Sequence, residues 1–106
     1  MFDIADAAGD TDIRIPDKFE VHDVRGFKTG GAGGAGDTVQ IKNTADAITD
    51  AISLDVADQV SLAAGTYNDA FATIVAGGLL RATIVDGNAG ATDLSCRLVV
   101  SGVLRA

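Results

Sequence analysis

Gly30-Gly31-Ala32-Gly33-Gly34-Ala35-Gly36-Asp37 separates two stretches with strand character, residues 19–28 and 38–42. It contains the spacing Gly31-x-Gly33-x-x-Gly36, which admits two readings. As a dinucleotide loop it would need a helix behind it, because the pyrophosphate sits on a helix N-terminus. The glycines run instead into Asp37-Thr38-Val39-Gln40-Ile41-Lys42, with Val39 and Ile41 on one face and Thr38, Gln40 and Lys42 on the other. That is the period of a half-buried strand, and an acid stands where phosphate charge would lie. No Lys-Ser or Lys-Thr pair closes the run to make a P-loop. The stretch therefore reads as a connection between strands, and the chain as all-β.

Outward from the loop the same period recurs. Phe19 and Val21 alternate well, then the pattern slips at Val24, which a bulge near Asp23 or Gly26 would restore. Ile13 and Ile15 share a face before Pro16, the only proline, which confines that piece to an edge or strand end. Residues 47–56 fit two templates: Ile48, Ile52, Leu54 and Val56 share strand parity, while Ile48, Ala51, Ile52 and Val56 form a helical stripe. The β-branched content favours strand. Val60 and Leu62 point inward in the next segment. Thr66-x-x-Asp69 resembles a capping box, predicting one or two helical turns over 68–75 before Gly77-Gly78. Residues 79–85 read as a strand buried on most of both faces, Asp86-Gly87-Asn88 as a turn and 89–93 as loop. In the last strand Leu94, Cys96, Leu98, Val100 and Leu104 share one face, with Ser95, Arg97, Ser101 and Arg105 opposite. A strand that runs to the end of the chain is expected to be paired centrally. Six or seven short strands point to a small antiparallel β-sandwich or jelly-roll-like domain with at most one short helix.

The chain has 106 residues, one domain's worth. With no tryptophan, one tyrosine and four phenylalanines, its core must come from Val, Ile and Leu. A thin aliphatic core suits two facing sheets. Residues 1–12 carry Asp3, Asp6, Asp10 and Asp12 among alanines, and read as a tail or arm rather than core. The expected organisation is an N-terminal arm over 1–15 and a single domain over 16–106.

Net charge is −7, which repels phosphate backbones, so no nucleic-acid partner is expected. The mostly apolar run over 70–80 is too short to cross a bilayer, so no membrane partner is expected. Acids at the N-terminus do not fit a signal peptide, and the lone Cys96 gives no sign of an oxidising compartment. The chain is expected in an aqueous intracellular space.

His22 and Cys96 are the only residues of their kinds and fall in different strands. A Cys–His nucleophile needs an orienting third group, and common zinc sites need several such ligands. Cys96 lies on an apolar face, where a buried inert thiol is usual. The early acids lack the EF-hand spacing. The carboxylates are scattered, with few aromatics to line a sugar cleft. No catalytic, cofactor-binding or metal-binding residue is assigned, and a non-enzymatic protein is expected. Arg25, Arg81, Arg97 and Arg105 fit inter-subunit ion pairs or an ordinary solvated face.

Several runs resemble small virion proteins of tailed bacteriophages: Val24-Arg25-Gly26-Phe27-Lys28-Thr29, the Gly/Ala loop with Asp37-Thr38-Val39-Gln40-Ile41, and Ala47-Ile48-Thr49-Asp50-Ala51-Ile52. So do Thr73-Ile74-Val75-Ala76-Gly77-Gly78, Leu80-Arg81-Ala82-Thr83 and Cys96-Arg97-Leu98-Val99-Val100. The resemblance is to capsid decoration, or cement, proteins, and is one of pattern over residues 13–106. It implies a β-sandwich or jelly-roll protein on the capsid exterior, made in the host cytoplasm. It implies a dimer or trimer that binds the major capsid protein and stabilises contacts between its subunits. An arm over 1–15 would reach a neighbouring subunit through Phe2, Ile4, Ile13 and Ile15. Alternatives are a tail- or fibre-associated β-domain, and a small module binding a ligand or glycan.

Overall fold

The structure, a computed structural model, describes residues 2–87 and 93–104. Among the described residues ten strands run in order: β1 (Phe2–Ile4), β2 (Gly9–Arg14), β3 (Phe19–Lys28), β4 (Thr38–Asn43), β5 (Asp46–Ala47), β6 (Ile52–Ser53), β7 (Ser61–Ala63), β8 (Thr73–Ile74), β9 (Leu79–Val85) and β10 (Cys96–Leu104). They form two antiparallel sheets. One has the order β1-β10-β3-β7 with β8 also on β3, and the other β2-β9-β4-β5 with β6 also on β4. The pairing is nested. First meets last (β1–β10), second meets ninth (β2–β9), β3 meets β7 and β8, and β4 meets β5 and β6. Successive pairs alternate between the sheets, the arrangement of a jelly roll.

The core lies between the sheets and is aliphatic. Val24, Cys96 and Leu98 face Val39, Ile41, Ala82 and Ile84 from the other side. β3 and β10 are the spine, paired over almost their whole lengths. Their register shifts once: Ser101 faces Asp23 and Gly102 faces Val21, so His22 is the extra residue. This is the bulge that the slip at Val24 called for, and it turns both Val21 and Val24 inward.

Of the expected arm over 1–15, the described residues 2–15 are not free. Phe2 and Ile4 are buried in the core and pair with Leu98 and Cys96. β2 lies along β9. The acids that suggested a tail are tethers. Asp12 receives Nε and Nη2 of Arg81 at 2.8 and 3.1 Å, Asp10 receives the Thr83 hydroxyl at 2.7 Å, and Asp6 receives the Leu94 amide at 2.9 Å. Opposite charge directly across a strand pair offsets the low hydrophobicity of the segment.

Two local expectations change. Residues 45–56 are extended, as β-branching favoured, but only two short pieces pair with β4. The chain curls between them, where the Ile48 and Thr49 amides both donate to Ile41 O. No helix forms over 68–75: Asn68 caps a single turn through the Ala70 and Phe71 amides. Beyond it Ala72 O accepts from Val21, and Thr73–Ile74 joins the sheet. Edge pairing to β3 uses the backbone groups a helix would have used. Leu62 is buried but Val60 is exposed, and Leu104 is exposed although it has core-face parity. The turn at 86–88 and the loop at 89–93 lie partly outside the described residues.

Candidate functional site

The glycine loop is a packing device. Lys28 ends β3 with its side chain fully buried. Its Nζ donates to Thr29 O at 2.8 Å and Gly31 O at 2.7 Å, and lies 3.6 Å from Asp93 Oδ1. The loop closes over this cation. The Gly31 amide donates to Thr29 O, the Gly33 amide to Val56 O and the Gly34 amide to Asp37 Oδ2. Asp37, itself buried, also accepts from the Gly87 amide at 3.0 Å. A Cβ at Gly33 would overlap the Leu54 carbonyl, and Gly36 has φ +84°. The amides that a phosphate would need are turned inward to the protein's own oxygens.

The bulge opens a hollow. β7 covers β3 at Arg25–Phe27 and β8 covers it at Phe19–Glu20, leaving a break between them. Tyr67 spans part of the break: its hydroxyl accepts from the Val24 amide at 3.0 Å and donates to Asp23 at 3.1 Å. Beside it lies a cavity of about 340 Å³ lined by Glu20, His22, Tyr67, Asp69 and Thr73. A second hollow of about 370 Å³ shares Tyr67 and Asp69 and adds Thr49, Asp50 and Asn68. His22 Nε2 lies 3.1 Å from Glu20 Oε1. These walls offer mainly hydrogen-bond acceptors and one aromatic ring. Among the described residues no group of three His, Cys, Asp or Glu side chains is placed to hold a metal ion.

The third surface is apolar and lies at one end of the sandwich. Phe19 stands between Leu104 on β10 and Ile74 on β8. Val75 comes next in the chain, and Ile15 exchanges backbone bonds with Gly77 and Gly78 of the adjoining turn. Leu104 and Val75 are 66% and 65% exposed, the highest values among the large apolar side chains described. Sequence reasoning missed this patch, because Leu104 and Phe19 have the parity of core residues. The shortness of its neighbours leaves Leu104 exposed, while Phe19 is half-buried against the core beside it.

The four residues expected to contact a partner divide. Phe2 and Ile4 are core and are not available at the surface. Ile13 and Ile15 are half-buried against the core, and Ile15 borders the apolar end. The arginines pair within their own chain: Arg81 with Asp12 and Asp10, Arg97 with Asp3, Arg25 with Asp23. Arg105 lies outside the described residues.

His22 and Cys96 are not brought together. Cys96 pairs with Lys28 at the far end of β3, six residues or roughly 20 Å from His22. Its thiol is buried, and burial pushes it up to about 11. The thiol is therefore protonated and inert at neutral pH. Compared with known proteins, the chain matches no family model, no curated protein and no solved structure.

Proposed function

We propose that this chain is a non-enzymatic structural protein of a tailed-phage virion, a decoration or cement protein on the head exterior. It binds major capsid subunits and stabilises the contacts between them. The observation that carries this reading is the apolar end formed by Phe19, Leu104, Val75 and Ile15. An uncovered apolar patch on a small acidic protein marks a protein-binding surface. The resemblance to cement proteins supplies the partner, and the net charge of −7 keeps the protein from competing for the packaged genome. Many symmetric copies, each with a modest interface, add up to a stabilised shell.

The test adds the protein to empty capsids and measures survival under heat and osmotic shock. Decorated capsids survive longer, and Val75→Asp with Leu104→Asp abolishes saturable binding while the isolated domain keeps its melting temperature. Equal survival with and without the protein sinks the proposal. A second reading, a small glycan- or ligand-binding module, is favoured by the two adjoining polar hollows around Tyr67. Chemical-shift changes at Tyr67 and His22 on adding oligosaccharides, with no capsid binding, would select it.

A further inference from the structure

Every sheet has edges, and folded proteins guard them with charges or by keeping edge strands short. Most edges here obey that rule. β2 carries Asp10, Asp12 and Arg14, β1 and β7 have three residues each, and β5, β6 and β8 have two. The exception is the distal part of β10. β1 covers β10 only at Cys96–Leu98. Beyond it run Val99-Val100-Ser101-Gly102-Val103-Leu104, bonded to β3 on one side. Among the described residues no strand pairs with the other side. These six residues carry no charge in a chain of net −7, and Val99 and Val103 are 47% and 38% exposed. The segment is long, neutral, apolar and open.

We propose that this edge pairs antiparallel with the same edge of a second copy, about a two-fold axis at Ser101. Such an axis stands perpendicular to the sheet and keeps outer faces outer, so residues of like parity must face each other. The outward row Val99-x-Ser101-x-Val103 is a palindrome about its centre. Each valine meets a valine of the second copy and serine meets serine. On the inward row Val100 meets Gly102, a large residue opposite a small one. The paired segment ends where Phe2 already occupies the edge opposite Leu98. The result is one continuous sheet of ten strands, with the row of open amides and carbonyls satisfied.

An acidic chain repels its own copies except where it is neutral, and this edge is neutral over its whole open length. That, with the palindrome, selects a second copy over an extended segment of another protein. The interface does not depend on the capsid reading, and it uses Val99, Ser101 and Val103, leaving Val75 and Phe19 free at the apolar end.

The test uses the full chain. Sedimentation over a concentration series gives the mass of two chains, and Val103→Lys halves that mass while circular dichroism stays native. Ser101→Cys forms an intermolecular disulfide under mild oxidation, because directly opposed antiparallel residues lie within disulfide reach. Thr11→Cys, also exposed and on the β2 edge, is the control, and Cys96 is buried and stays out of the reaction. A wild-type chain that stays monomeric throughout overturns the proposal. So does a dimer in which Ser101→Cys links no more than the control, since the copies would then meet elsewhere. Should Val103→Lys unfold, Ser101→Lys gives the same reading at an exposed polar position.

Discussion

The two ends of the β3–β10 ribbon are built from the same paired strands and meet opposite fates. At one end Lys28, Cys96 and Leu98 are fully buried. β1 lies along the outer edge there, and the glycine loop folds over the cation. At the other end Gly102, Val103 and Leu104 are exposed, although their alternation continues that of the buried end. The hydrophobic pattern is continuous, but the cover is not. Burial of a strand face depends on what the rest of the chain brings to it, and this chain brings β1 and its glycine loop to the same end.

That contrast is easiest to break with one residue from each end. Leu98→Ala removes a side chain packed between the sheets and should cost about 3 kcal/mol of unfolding free energy. Leu104→Ala, with its side chain largely in solvent, should change stability by no more than about 0.5 kcal/mol. Urea denaturation of the monomer at matched concentration measures both, and equal losses would mean the two ends are packed alike.

Lys28→Met tests the closed end more finely. It keeps the aliphatic volume but leaves the Thr29 and Gly31 carbonyls without their donor, an expected loss of about 2 kcal/mol. Asp93 is 30% exposed and can turn to water, so Asp93→Asn should cost clearly less. Reversal of that order would place the stabilisation in the ion pair rather than in the loop carbonyls.

The smallest effect is in acid. The Ser95 side chain and amide, and then Lys28, hold the Asp93 carboxyl below its ordinary 3.8. The Arg81 hydrogen bond does the same for Asp12. Each depressed carboxyl contributes stability that is full above the unfolded value and is lost as pH falls through the folded one. Wild-type melting temperature should therefore drop more steeply below pH 3.8 than that of Asp93→Asn combined with Asp12→Asn. Parallel acid limbs would remove both carboxyls from the stability balance.

Much of this fold was legible because strand parity survives tertiary context. Val39 and Ile41, and Cys96 and Leu98, bury the face their alternation announced, whereas residues 79–85, expected to be buried on most of both faces, bury only the face of Leu80, Ala82 and Ile84. Even the bulge at His22 was legible, since a slip in period has one backbone remedy. Asp37 after the last glycine, leading into a strand, marked the glycine run as a connection between strands, which it is between β3 and β4. The N-terminus failed for a definite reason. Acids read as solvent-loving until their partners are known, and Arg81 is 69 residues from Asp12 in the chain. The helix expected over 68–75 failed similarly, because a local cap competed with an edge on β3 that only the fold supplies.

The candidate surfaces were the least legible part. Sequence by itself determined an all-β chain with an aliphatic core, an acidic exterior and a structural glycine loop, because those depend on period, composition and local backbone chemistry. Which apolar residues remain uncovered was decided only by tertiary structure. Cover is a non-local property: β1 stops at Leu98, β7 and β8 leave a gap over the bulge, and among the described residues no strand pairs with the second side of six neutral residues of β10.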